Sequence, residues 1–158
     1  MRDAFSAIWH TLSMLLGITV FLFVIWTVAH LHSRMWRRVA EGYRGTSSAP
    51  RTGRKVPETI IIADRGPIGP SGYRVYATAS IAVHEDGLQL SQVPPFNIMC
   101  PTVFLPFDEI ELVQTEWALW PQPMAVRMRR LPGVDIILAR DTVQWIRSQT
   151  DRPPLGWD

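Results

Sequence analysis

The sequence predicts one membrane-crossing α-helix near the N-terminus, followed by a small, mainly β domain of antiparallel strands closed by a C-terminal helix. Three observations carry this expectation. Thr11–Ala29 holds nineteen residues with no Asp, Glu, Lys or Arg. From Tyr73 to His84 the side chains alternate with a period of two, the mark of a strand with one buried face. After a long run of strand and turn signals, Val143, Trp145 and Ile146 give the end of the chain an apolar helical side.

The apolar stretch comes first. At about 1.5 Å rise per residue it is roughly 28 Å long, close to a hydrocarbon core of about 30 Å. Trp9 and Trp26 stand near its ends and Trp36 lies further out. A cleaved signal peptide fits poorly, because the run exceeds a usual apolar core of about 7–15 residues and no small-x-small site precedes the arginines. A soluble core helix fits less well still, since Leu, Ile, Val and Phe cover every face. Arg34, Arg37, Arg38 and Arg44 follow within fifteen residues. The positive-inside rule then places the short N-terminus outside and the rest in the cytoplasm. His10, His30 and His32 are not read as ligands, because two residues along a helix turn His30 and His32 apart.

Charge is unevenly distributed. Between His32 and Glu58 there are seven basic and two acidic residues, a net of +5, whereas from Thr59 onward eight basic face eleven acidic residues, a net of −3. The folded part is thus mildly acidic, the opposite of a nucleic-acid-binding domain, and nucleic acid is excluded as a partner. One cysteine, Cys100, rules out an intrachain disulfide.

The expected organisation is a short extracytoplasmic segment (1–10), the span (11–31), a basic juxtamembrane helix and linker (32–58), a β domain (59–150) and a tail (151–158). Within the juxtamembrane part, Met35, Trp36, Val39, Ala40 and Tyr43 recur at three- and four-residue steps and share a face. That face is expected to lie shallow in the interface while Arg34, Arg37, Arg38 and Arg44 meet anionic headgroups. The linker GTSSAPRTGRKVPE reads as a solvated flank, so a fragment starting near Lys55 is expected to fold alone.

In the β domain, Thr59–Ala63 is a strand candidate. Tyr73, Val75, Ala77, Ala79, Ile81 and Val83 form the buried face of the next one. Asp86-Gly87 suits the centre of a type I′ turn, which would set Val83 opposite Leu90. Val103–Val113 reads as one strand bent at Pro106, Met124–Met128 as another, and Val134–Leu138 as the last. Asp141 and Gln144 have capping-box spacing.

The phrases GYRVYATASIAVHEDGLQLS and FLPFDEIELV resemble the bacterial pleckstrin-homology-like domains, above all small membrane proteins in which one helix precedes such a domain. The hairpin Asp86-Gly87-Leu88-Gln89-Leu90 matches the family's "dGL-L", and Leu105–Ile110 matches its "I-P-W-x-x-I" with Phe107 at the Trp position. Trp145 sits in the closing helix, where eukaryotic relatives carry a characteristic Trp. The resemblance covers about half the chain, Tyr73–Thr150. It implies a partly open antiparallel barrel closed by a C-terminal helix, a place in the bacterial inner membrane, and a role in docking a protein partner or reading a lipid headgroup. The first hairpin carries His84, Glu85 and Asp86 where inositide-binding relatives are basic, which argues against inositide binding.

Catalytic chemistry is weakly signalled. Cys100, His84 and Asp86 are the residue types of a nucleophile, base and orienter, and a hydrolase is the third reading. Nothing around Cys100, between Met99 and Pro101, suggests an activated thiol. Asp108, Glu109, Glu111 and Glu116 read as the solvated side of a strand. No phosphate-binding loop or metal motif is present in the sequence, so no catalytic residue, cofactor or metal ligand is assigned. The best contact candidate is the loop Trp117–Pro123 with Trp117 and Trp120, followed by Arg127, Arg129 and Arg130.

Overall fold

The structure is a computed structural model that describes residues 2–65, 72, 74–94, 97, 100–115, 122–151 and 156. It divides into two compact units, Met1–Leu31 and His32–Asp158. Helix α1 (Arg2–Tyr43) contributes to both.

In the first unit, α1 carries a stretch long and apolar enough to cross a membrane, with a mean hydropathy of 2.4 over its best eighteen-residue window. Its large side chains from Trp9 to Val28 are exposed. The hydroxyls of Ser13, Thr19 and Thr27 donate to the carbonyls of Trp9, Leu15 and Phe23 at 2.8–2.9 Å, so these polar groups are satisfied within the helix. His30 stacks on Trp26, with ring centroids 5.3 Å apart.

The second unit is a seven-stranded antiparallel sheet closed by a C-terminal helix, the class expected from the sequence. The strands are β1 (Arg51–Asp64), β2 (Arg74–His84), β3 (Gly87–Gln92), β4 (Val103–Pro106), β5 (Ile110–Gln114), β6 (Met124–Met128) and β7 (Leu131–Leu138). Helix α2 (Arg140–Ser148) follows. The order across the sheet is β4-β3-β2-β1-β7-β6-β5. The outermost strands are consecutive in the chain, joined by a single 3-10 turn at Phe107–Glu109, so the sheet curls into a nearly closed barrel in which β4 and β5 are neighbours in the chain without pairing to each other. All seven strands turn apolar side chains into one contiguous core, among them Ile60, Ile81, Leu88, Leu105, Ile110, Val126 and Ile136.

Several boundaries differ from expectation, each for a physical reason. The segment Val103–Val113 is two strands: β4 pairs with β3, whereas β5 pairs with β6. Pro106 ends β4, and the turn after it sends the chain to the other edge of the sheet. Strand β1 begins at Arg51, inside the presumed linker, and pairs with β2 along its length and with β7 at Ile61–Asp64. The sequence Arg51–Glu58 hides this strand because its charged, Gly and Pro residues lack alternation, while its backbone has a ready partner in β2. A register shift between Lys55 and Glu58 absorbs Pro57. The hairpin is also offset: His84 pairs with Gly87 and Val83 with Leu88, leaving Glu85 and Asp86 as the turn. Positive φ is confined among the described residues to Gly45, Gln122 and Gly156, so no type I′ turn forms at Asp86-Gly87. The offset is two residues, so every apolar side chain keeps its face. Ala139, rather than Asp141, precedes the first turn of α2 and makes no side-chain cap. Thr142, Val143 and Ile146 are the buried residues of α2, and Trp145 packs half-buried against the core.

The largest correction concerns the end of α1. Ser33, Met35, Trp36, Val39, Ala40 and Tyr43 are buried, and the five apolar ones belong to the barrel core. The face predicted to lie in the lipid interface is thus packed against protein. Trp36 Nε1 donates to the Pro101 carbonyl at 2.7 Å. This part of α1 meets the C-terminal end of β1 through Arg38 and Asp64, and the β6–β7 turn through Tyr43 and Arg130. Helix α2 lies at the opposite end, where a side chain on Gly53 of β1 would collide with Gln149. The linker is fixed as well. Gly45 N–H donates to Thr102 O at 3.3 Å, Ser47 Oγ to Asp86 Oδ1 at 2.6 Å, and Glu85 N–H to Pro50 O at 3.2 Å.

Candidate interaction surface

The sequence-predicted contact residues part company in the structure. Trp117 and Trp120 lie outside the described residues. The stems of their loop are held together by Thr115 N–H donating to Pro123 O at 3.3 Å. Arg127 sits half-buried on the outer face of β6, in register with Glu111 on β5 and Asp135 on β7. Buried Asp135 accepts from Arg65 Nη2 at 2.5 Å and Nε at 3.3 Å. This pairing holds the Arg65 guanidinium above its usual pKa. The outer face of β5, β6, β7 and the chain after β1 therefore carries an alternating row of charges: Glu111, Arg127, Asp135 and Arg65. Arg127 Nε is buried without a hydrogen-bond partner among the described residues. Arg129 is exposed, and its backbone N–H donates to Glu109 O at 3.0 Å.

Arg130 has a structural task. Its guanidinium donates to Gly42 O at 3.2 Å, pairs with Glu109, and lies over the Tyr43 ring at 5.3 Å from the centroid. Its backbone N–H donates to Tyr43 Oη at 3.0 Å. One residue thus clasps the end of α1, the β6–β7 turn and the 3-10 turn. Burial pushes the Tyr43 phenol above its usual pKa of about 10, opposed by the Arg130 N–H and reinforced by Glu109. The folded state therefore holds this proton more tightly than the unfolded chain does. The associated stability is present below pH ~10 and is lost as pH rises through the folded value. Tyr43→Phe should cost about 1–2 kcal/mol at neutral pH by orphaning the Arg130 N–H. It should also flatten the loss of stability above pH ~10 in thermal melts; an unchanged alkaline limb would show that Tyr43 does not set it.

The juxtamembrane arginines also separate. Arg38 pairs with Asp64 at 2.6 Å. Arg34 and Arg44 are exposed and Arg37 is half-buried. The candidate triad has separate partners: His84 Nδ1 is 2.9 Å from Ala49 O, with its ring edge-on to Phe104, while Asp86 accepts from Ser47 and Cys100 is buried beside α1. Burial raises the Cys100 thiol pKa, which Arg37 partly opposes, so the thiol stays protonated at neutral pH. Asp108 and Glu111 are exposed, Glu109 belongs to the clasp, and Glu116 lies outside the described residues. No group of three metal-ligating side chains occurs among the described residues.

Sequence reasoning missed the roles of Trp36, Tyr43 and Arg130. The signal for the first two was the three- and four-residue apolar spacing, correctly seen but assigned to lipid. Arg130 carried no signal for this role, because its partners come from two distant segments, the end of α1 and the 3-10 turn.

No protein-family model matches the chain, and no curated protein matches it in sequence. Among solved structures, the pleckstrin homology domain of ArhGAP27 is similar at a TM-score of 0.39 and 10% identity, over 61% of this chain and 91% of that one. The class assigned here, an antiparallel, nearly closed barrel with a C-terminal closing helix after a long apolar helix, rests on the strand order and the two helices themselves.

Proposed function

We propose that the protein is a membrane-tethered interaction module. In this reading α1 anchors it in a bacterial inner membrane with the N-terminus outside, and the cytoplasmic barrel docks a protein partner without catalysing a reaction. The observation that carries the reading is the contiguous core contributed by all seven strands and both helices. Side chains fill the barrel, which leaves its outer surface, with the charge row on β5–β7 and the β6–β7 turn, as the place for contact. The separate engagements of Cys100, His84 and Asp86 support a non-catalytic role.

The test places a photo-crosslinking residue at Tyr76, Glu111 or Arg129 of the full chain in cells, with a phosphatase fused after Asp158 as a topology reporter. At least one position should give a discrete protein adduct, and the phosphatase should be inactive. No adduct from any of the three in folded, membrane-bound protein overturns the docking reading. An active phosphatase overturns the orientation.

A further inference from the structure

The charge row on the outer face of β5–β7 is only half closed. Arg65 and Asp135 satisfy each other, with Nη2 at 2.5 Å and Nε at 3.3 Å from the carboxylate oxygens. Glu111 and Arg127 stand directly opposite each other on β5 and β6. Yet neither side chain forms an ion pair or hydrogen bond among the described residues. Glu111 is exposed, and its charge reaches Arg65 only through space, as an addition to the Asp135 contact. Arg127 is half-buried, and its Nε has lost water without gaining an acceptor. A cation desolvated in this way is costly, and an added carboxylate would relieve it.

We propose that a second copy of this chain supplies that carboxylate: two chains pair outer face to outer face, Glu111 of each over Arg127 of the other. The pattern of the row selects this occupant. A uniformly acidic segment laid over Arg127 would also meet Glu111 on one side and Asp135 on the other. A basic segment would meet Arg127 itself. The surface that fits alternates in sign, and the repelled alternatives narrow the choice. The row is such a surface, and it matches itself. A two-fold axis parallel to the strands and lying between β5 and β6 reverses the order of the two residues. It therefore sets Glu111 over Arg127 and Arg127 over Glu111 at once, as an isologous interface requires. The closed Arg65–Asp135 pair stays internal and competes for neither contact. The inference rests on the docking reading above and names the partner at the charge row.

Native mass spectrometry of the full chain in mild detergent tests it. The unaltered chain should be a dimer. Glu111→Arg leaves two cations at the pair and Arg127→Glu leaves two carboxylates, so each variant alone should self-associate at least about tenfold more weakly. Mixed together, the two variants are complementary and should recover the dimer, with one copy of each per particle. A monomeric unaltered chain, or single variants that dimerise as well as it does, overturns the proposal. So does a mixture that stays monomeric while both variants melt cooperatively. If either charge-reversed variant fails to melt cooperatively, Arg127→Gln takes its place. It removes the charge without reversing it and should also weaken the dimer by about tenfold; a dimer of undiminished strength overturns the contact. A photo-adduct to a different protein from Glu111 of a monomeric chain sinks the second copy and leaves the docking reading standing.

Discussion

A fragment that begins at Lys55 should aggregate or fail to unfold cooperatively, whereas one that begins at Ser33 should be monomeric and melt in a single transition. The shorter fragment lacks Met35, Trp36, Val39 and Tyr43, four large side chains that are 1–4% exposed in the barrel core. At about 1.5–3 kcal/mol for each large apolar side chain, their removal forfeits roughly 6–12 kcal/mol. That is comparable to the whole stability of a typical domain, about 5–15 kcal/mol. The shorter fragment also loses the first strands' pairing from Arg51 to Arg54. Within the full chain, Trp36→Ala isolates the largest part of the effect. It opens a cavity and leaves the Pro101 carbonyl without its indole donor, which should cost about 3–5 kcal/mol. Val39→Ala should cost less, in proportion to the smaller volume removed. A Lys55 fragment with the same melting midpoint as the Ser33 fragment would show that the end of α1 is not core.

Gly87→Val should be the most damaging single substitution in the first hairpin, for a reason the turn itself does not supply. Gly87 sits in β3 opposite Pro106, and β4 crosses so closely that an added Cβ would meet the Leu105 carbonyl oxygen and come within 2.7 Å of Phe104 Cζ. The first of these is backbone and cannot rotate away. Overpacking of this kind costs about 1–3 kcal/mol, and more where an edge strand must shift. We expect about 3 kcal/mol, or a fall of roughly 10 °C in the melting midpoint. Gly87→Ala should cost nearly as much, because the Cβ alone makes the collision. Asp86→Ala, which removes only an exposed hydrogen bond to Ser47, should cost under about 1 kcal/mol. A mild Gly87→Ala beside a damaging Asp86→Ala would reverse this account and return the strain to the turn.

The two predictions mark where sequence and structure divide the credit. The conclusion that Gly87 matters was legible from the hairpin phrase, but its cause lies in β4, fifteen or more residues away. The sequence by itself determined the features with strong one-dimensional signals. The apolar stretch needs no partner to be recognised. The alternation of Val75, Ala77, Ala79, Ile81 and Val83 assigns a buried face whatever strand pairs with it, and the parity of the hairpin survived a two-residue error because the period is two. The closing helix followed from Val143 and Ile146. Tertiary structure alone decided what each amphipathic face meets. Met35, Trp36, Val39 and Tyr43 have the same spacing whether they face lipid or a β-barrel, since periodicity reports a side and never its partner. It also decided that Arg51–Asp64 is a strand, because the pairing comes from β2 and not from local propensity. The juxtamembrane arginines looked like one basic collar in sequence. Folding sends Arg38 to Asp64 and sets Arg37 close enough to Cys100 for the thiol to feel its charge, an arrangement that exists only once residues sixty positions apart are packed together.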